Sequence, residues 1–251
     1  MTNIILRGCN GKMGQVITDL IDADENAVII AGIDVSQSRN NKYPVYQSFS
    51  QCNVKADVII DFSAPINMEE MLAYAISHNI GIVCCTTGLT KEQLVLIDEA
   101  SHQIPIFRSA NMSMGINLIT KLLQQAAEIL ADAGFDIEIV ERHHNKKVDA
   151  PSGTALMLAD AINDVLNNEY QYKYDRSEER VARSRKEIGI SAVRGGTIVG
   201  EHEVIFAGTD EVIEIKHTAY SKAIFAKGAV QAAKYLVGKP AGKYMMSDMM
   251  E

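Results

Sequence analysis

The chain has 251 residues, 47% of them hydrophobic and 22% charged, which is enough for one large domain or two modest ones with a real core. A net charge of −8 argues against nucleic acid as a general partner while leaving room for a local basic site. No apolar run approaches membrane-spanning length, and the N-terminus enters a strand instead of a signal peptide.

Cys9, Cys52, Cys84 and Cys85 have neither metal-ligand spacing nor a disulfide framework, so no metal and a reduced, cytoplasmic setting are expected. In chain order, Asn3 to Arg7 reads as an apolar strand that runs into Gly8-Cys9-Asn10-Gly11-Lys12-Met13-Gly14. A helix with Val16, Ile17, Leu20 and Ile21 at helical spacing follows. Strand, glycine-rich turn and helix make the context of a dinucleotide fingerprint, here spaced G-x-x-G-x-x-G. Glycines let the backbone approach a pyrophosphate, whose charge a helix N-terminus favours. Val28 to Ile33 is a second buried strand, and it ends in Asp34, where a fingerprint places the acid that binds the adenosine ribose.

Asp57–Phe62, Gly81–Cys85 and Ile104–Phe107 read as further strands. Between them lie a helix from about Ile66 to Asn79 and one that starts with a capping box, Thr90-x-x-Gln93. This alternation predicts a doubly wound parallel sheet of the Rossmann type. Ligands of such sheets lie beyond the carboxyl ends of the strands, which singles out the turns Thr86-Thr87-Gly88 and Ser109-Ala110-Asn111-Met112. Cys84 and Cys85 read as small apolar residues of a strand, with no catalytic role.

A long helix is expected from Gly115 to Ala133, with a broad apolar face made by Ile116, Ile119, Leu122, Leu123, Ala126, Ile129 and Leu130. The stretch Glu138 to Ala155 then begins as a strand (Ile137, Ile139, Val140) and ends as a helix that starts near Pro151. Between them, Arg142, His143, His144, Lys146 and Lys147 form a cationic cluster in an acidic protein. The backbone N–H groups of Ser152, Gly153 and Thr154 should be unpaired donors of the first helical turn, suited to a carboxylate. A basic surface loop is the plainer reading, and it leaves His-His-x-x-Lys before Asp-Ala-Pro-Ser-Gly-Thr-Ala unexplained.

Glu169 to Lys186 is polar and charged (Arg176, Glu178, Glu179, Arg180, Arg183, Arg185) and reads as a mobile, solvated excursion. Strands follow at Ile188–Val193, from Thr197–Val199 through Glu203–Phe206, and at Glu211–Lys216, with structural roles expected for His202 and His217. A last helix runs from about Lys222 to Val237, and the methionine-rich tail reads as apolar filling. The domain boundaries so drawn are 1–114 with 221–251 for a dinucleotide-binding domain, and 115–220 for an α+β substrate-binding and oligomerisation domain.

The pattern Glu141-x-His143-His144-x-x-Lys147-x-Asp149-Ala150-Pro151-Ser152-Gly153-Thr154-Ala155 resembles the signature of the 4-hydroxy-tetrahydrodipicolinate reductases, also called dihydrodipicolinate reductases. The likeness extends to Gly8–Gly14, to Val193-Arg194-x-Gly195 and to Phe225-Ala-x-Gly-Ala229. It implies reduction, with loss of water, of a hydroxylated cyclic imine dicarboxylate by NADH or NADPH in the diaminopimelate route to lysine. It also implies His143 and Lys147 as catalytic groups, and His144, Gly153 and Thr154 as holders of the substrate carboxylates. The nicotinamide half of the cofactor falls to Cys85, Thr86, Thr87, Ser109, Ala110, Asn111 and Met112. Cys85 stands where the family has glycine and Met112 where it has an aromatic residue, both small shifts in fit.

A homotetramer is implied as well. Asp34 followed by the uncharged Val35 predicts a preference for NADH, with Arg39 and Lys42 near enough to leave some NADPH activity. The competing readings are a semialdehyde dehydrogenase, which needs a thiolate near the site, a nucleotide-sensing homologue without activity, and a structural subunit. The last two need none of the His-His-x-x-Lys residues.

Overall fold

The computed structural model describes residues 1–36, 38–177 and 179–250; Glu178 of the charged stretch and Glu251 of the C-terminal segment lie outside them. Two compact units divide the chain: Met1–Ser113 with Ala223–Glu251, and Met114–Lys222.

The first unit is built on a seven-stranded sheet. Its strands are β1 (Thr2–Arg7), β2 (Ala27–Ile33), β3 (Val45–Tyr46), β4 (Val58–Asp61), β5 (Gly81–Cys84), β6 (Pro105–Phe107) and β12 (Gly242–Tyr244). The order is β12-β6-β5-β4-β1-β2-β3 with every pairing parallel, the doubly wound arrangement expected. The order reverses at β1, which lies between β2 and β4, and the crevice at such a reversal is where these sheets bind ligands.

Both faces are covered, which is why the central strands are apolar throughout. Ile4 and Leu6 of β1 pack with α1 (Lys12–Asp22) and α6 (Ala223–Leu236), while Ile5 packs with α2 (Met68–His78) and α3 (Lys91–Ser101). Each such buried isoleucine or leucine contributes roughly 1.5–3 kcal/mol. The short strands β3 and β12 were not legible in the sequence. The tail does act as apolar filling, since Met246 is fully buried in the same core.

The second unit has a five-stranded mixed sheet, β11-β10-β7-β9-β8. It comprises β7 (Asp136–His143), β8 (Gln171–Lys173), β9 (Glu187–Arg194), β10 (Gly200–Ala207) and β11 (Val212–Ala219). One face is covered by α4 (Met114–Asp132) and α5 (Gly153–Val165), through Leu123, Ala127, Leu158, Ala159 and Ile162 against Ile137, Ile139, Ile188, Val204 and Phe206.

Three expectations change here. The broad apolar face of α4 is narrower than its pattern, because Leu122 and Ile129 are exposed and with Leu118 form a separate stripe. Thr197–Val199 is part of the turn before β10, not strand. The charged stretch after α5 is only partly solvated: it opens with the edge strand β8, and Arg176 and Arg183 pair with Glu138, Glu187 and Asp136 on neighbouring strands. Alternating charge there supplies cross-strand partners that a composition rule reads only as polarity.

Candidate active site

In the first unit the glycine-rich turn leaves β1 and enters α1. Gly8 has φ +80°, and a β-carbon on it would stand 2.8 Å from the Phe62 carbonyl oxygen. At Gly14 a β-carbon would be 2.2 Å from the Gly8 carbonyl oxygen, so the turn closes against the helix only with glycine. Gly11 caps α1 without any side-chain bond, and the first turn carries no acid. By contrast, Glu69 and Glu70 sit in the first turn of α2, and Thr90 and Gln93 form the predicted capping box on α3. The start of α1 is therefore the one of these three whose positive end meets neither an acid nor a capping side chain.

Asp34, just beyond β2, accepts from the backbone N–H of Asn10 at 2.9 Å and of Ser36 at 2.9 Å. These two bonds tie the strand end to the glycine-rich turn. A carboxylate has about four acceptor sites, so lone pairs remain for a ligand hydroxyl. Asn10 bonds the Ser36 carbonyl at 2.5 Å and receives Asn41 at 2.8 Å, which extends the same lattice. Asp34, Gly8, Gly11, Val35, Phe62, Ser63 and Ala64 line a cleft of about 340 Å³. Val35 is 82% exposed on its rim.

Of the other residues expected to hold a cofactor, Lys12 is exposed and Met13 packs against the core. Cys9 is fully buried, and burial, with Asp34 nearby, pushes its thiol up to about 12, so it can offer a ligand only its backbone. Thr86 is buried and donates to Asp61 at 2.6 Å, whereas Thr87 and Ala110 are exposed. Asn111 and Met112 are buried, Ser109 is half-buried, and Asn111 accepts from the Ser113 N–H at 2.8 Å in a local turn. Cys85 is half-buried, and burial holds its thiol far above the ordinary range; Cys84 is pushed up to about 11 for the same reason.

In the second unit, burial along β7 alternates strictly: Ile137, Ile139, Glu141 and His143 face inward. The inward row thus continues past two isoleucines into a carboxylate and an imidazole. Glu141 has no exposed surface. It binds Arg194 through two bonds of 2.7 Å, His143 Nδ1 at 2.6 Å and the Ser152 N–H at 2.9 Å. Burial pushes the Glu141 carboxyl up, but the bonds from Arg194, His143 and Ser152 together outweigh it and hold it below the usual carboxylate range.

The sheet register explains who meets whom. His202 on β10 is opposite Glu141, and Arg194 on β9 is beside His143. The His202 ring stands edge-on to His143 with centroids 5.1 Å apart, and its Nε2 lies 2.8 Å from Ser152 Oγ. Burial, then the neighbouring His143, lowers the His202 pKa to about 4, so it is neutral. His217 beyond it is half-buried, with burial lowering its pKa as well.

Ser152 caps α5, accepting from the Ala155 N–H at 3.1 Å. Two expectations are corrected here. The Ser152 N–H is already held by Glu141, and Pro151 precedes the cap instead of opening the helix. Serine takes the cap because its oxygen can accept from the first turn, which proline cannot do. Gly153 and Thr154 are the first two residues of α5, and a β-carbon at Gly153 would meet nothing within 4 Å.

Nor is the cationic cluster a single patch. Arg142 faces the other side of the sheet, against Glu203 at 2.9 Å and Glu201 at 3.5 Å. Lys147 reaches Asp149 at 2.8 Å, His144 is half-buried, and Lys146 is exposed. The structure thus gathers His143, Ser152 and the start of α5 around Glu141. Sequence reasoning gave Glu141 and Arg194 no role beyond their place in the family pattern, and it expected a structural role for His202. The signal for Glu141 was its place two residues after Ile139 and two before His143, an acid in an inward row.

Family models for dihydrodipicolinate reductase match residues 2–112 ("N-terminus") and 115–250 ("C-terminus"). A 4-hydroxy-tetrahydrodipicolinate reductase from Clostridium novyi is 48% identical over 251 residues, covering 100% of this chain and 99% of that one. One from Clostridium tetani is 49% identical over 250 residues, covering 100% and 97%. Among solved structures, the dipicolinate-bound dihydrodipicolinate reductase from Paenisporosarcina sp. superposes with a TM-score of 0.79 at 24% identity, covering 98% of this chain and 97% of that one.

Proposed function

The chain belongs to the dihydrodipicolinate reductase family, and on that premise we propose that it reduces 4-hydroxy-tetrahydrodipicolinate to tetrahydrodipicolinate, with loss of water, in the diaminopimelate route of lysine biosynthesis. The observation that carries the reading is the meeting of His143, anchored by a buried carboxylate, with the N-terminus of α5.

The residues of the first unit fit a nicotinamide dinucleotide. The glycine-rich turn and the uncapped start of α1 would hold its pyrophosphate, Asp34 its adenosine ribose, and Thr86, Thr87 and Ser109–Met112 its nicotinamide half. When bound, NADH or NADPH supplies the hydride. In the second unit, His143 exchanges the proton that accompanies reduction, and Lys147 contributes a positive charge and a second proton. His144 and the backbone N–H groups of Gly153 and Thr154 hold the substrate carboxylates. The dipicolinate in the Paenisporosarcina enzyme is a dicarboxylate of the same class. A thiolate mechanism is disfavoured, because burial keeps Cys84 and Cys85 protonated.

NADH is the preferred cofactor. Lys42 is held by Asp22 at 2.6 Å and Arg39 by Gln15 at 3.3 Å, while Arg7, which lines the cleft, is committed to Asp61 at 3.1 Å. None of these cations is spare for a 2′-phosphate. The enzyme works in the cytoplasm as a homotetramer built through the second sheet, whose edge strand β11 exposes Val212 and Ile213. No helix among the described residues is long and apolar enough to cross a membrane.

The test is spectrophotometric: freshly condensed pyruvate and aspartate semialdehyde should drive oxidation of NADH, and no loss with either reduced cofactor defeats the reading. A monomer mass by light scattering at working concentration would defeat the tetramer.

A further inference from the structure

We propose that Glu141 is a positioning residue for the proton-exchanging imidazole: clamped by Arg194, it holds His143 in the Nδ1–H tautomer and leaves Nε2 as the nitrogen that exchanges protons with substrate. The inference rests on the reading of His143 given above.

An ionised carboxylate only accepts hydrogen bonds, so the 2.6 Å contact between Glu141 Oε2 and His143 Nδ1 requires Nδ1 to carry the proton. Glu141 has no freedom to serve another partner. Oε1 receives Arg194 Nη2 and the Ser152 N–H, and Oε2 receives Arg194 Nη1 and His143, which fills its roughly four acceptor sites. Arg194 is itself held by the carbonyl oxygens of Asp149 at 2.5 Å and Val193 at 2.8 Å. On the other side of the ring, the neighbour of Nε2 is Gly200, where a β-carbon would stand 3.0 Å away.

Glycine at that point keeps Nε2 clear of side-chain bulk. When Nε2 takes a proton, the imidazolium in this buried place is balanced by a carboxylate already aligned with it, as in triads where a buried acid orients a histidine. The titratable and charged groups around the pair are Arg194 on β9, His202 on β10 with His217 beyond it on β11, and Lys147 and Asp149 in the loop after β7. None of the others bonds Nδ1.

The experiment compares wild type and Glu141→Gln across pH, as the full-length protein. The expected result is a fall in kcat of about 10²-fold. The shape of the kcat/KM profile against pH changes, and the KM for NADH is unchanged. A folded Glu141→Gln enzyme with a wild-type profile overturns the proposal.

Because that variant takes from Arg194 its buried carboxylate and can fail to fold, long-range 15N–1H spectra of wild type provide an independent readout, with the His143 signal assigned by its loss in His143→Ala. Nδ1 protonated and Nε2 bare is expected; the Nε2–H tautomer overturns the proposal without any assay. Full activity in His143→Ala would instead remove the role of His143 itself, so the two failures are told apart.

Discussion

Among the described residues, each unit buries one carboxylate completely on a central strand, and each carboxylate binds an arginine. In the first unit, Asp61 at the end of β4 binds Arg7 at 3.1 Å, Thr86 Oγ1 at 2.6 Å, and Ser63 through its hydroxyl at 2.6 Å and its N–H at 3.1 Å. In the second, Glu141 on β7 binds Arg194 twice, His143 and the Ser152 N–H. The chemistry of the two knots is alike, but what they hold differs. Asp61 fastens hydroxyls and turns that do not titrate, so its knot sets the shape of a binding cleft. Glu141 fastens an imidazole, so on the proposed reading its knot sets the state of the residue that exchanges protons. A buried ion pair says little about function until its third partner is known.

The sharpest way to break this comparison is to remove the two groups proposed for proton transfer beside the second knot. His143→Ala and Lys147→Ala should each lower kcat by about 10²–10⁴-fold, with the cofactor KM near wild type. Wild-type turnover in both would leave the second knot merely structural. Asp61→Asn should do the reverse. It strands a buried guanidinium and should cost about 3–5 kcal/mol of stability, read from chemical denaturation, while the protein that remains folded still turns over. A stable but inactive variant would show that the two knots had been assigned the wrong way round.

A third test uses His202, which leans on the second knot. It is neutral in the folded protein, with a pKa of about 4, and protonates near its ordinary 6.5 when unfolded. The unfolded state therefore takes up protons first as pH falls. The stability concerned is whole above 6.5, is lost progressively down to about pH 4, and amounts to about 3 kcal/mol. Thermal midpoints of His202→Gln should decline less steeply than wild type across that window. Glu141 acts lower, since its depressed pKa makes its contribution complete above its ordinary 4.5 and lost only as pH falls through the lower native value. Parallel wild-type and variant curves would show that His202 is not the titrating group.

The smallest effect belongs to the rim of the cleft above the first knot. Val35→Arg should improve NADPH binding by about 1.5–3 kcal/mol at most and leave stability alone, judged from the KM for each cofactor. A wild-type enzyme that prefers NADPH and ignores the substitution would show that Arg39 or Lys42 leaves its present partner to meet the phosphate.

Much of this was legible along the chain. The alternating strands and helices, the glycine-rich turn, the capping box on α3 and the strand-to-helix course of residues 137–166 all came from local rules, because periodicity, capping and steric limits act within a few residues. The family pattern likewise placed His143 and Lys147 on one short stretch. What the tertiary structure alone decided was partnership. Glu141 and Arg194 are 53 residues apart, and Ser152 and His202 50. Only the parallel pairing of β7 with β9 and the antiparallel pairing with β10 bring them together. The same holds for Asp34, which carries the glycine-rich turn as well as lining the cleft, and for Arg142, sent to the opposite face by a pleat of period two. A sequence names the groups able to carry charge, but burial and register determine which of them meet, and those are properties of the folded sheet.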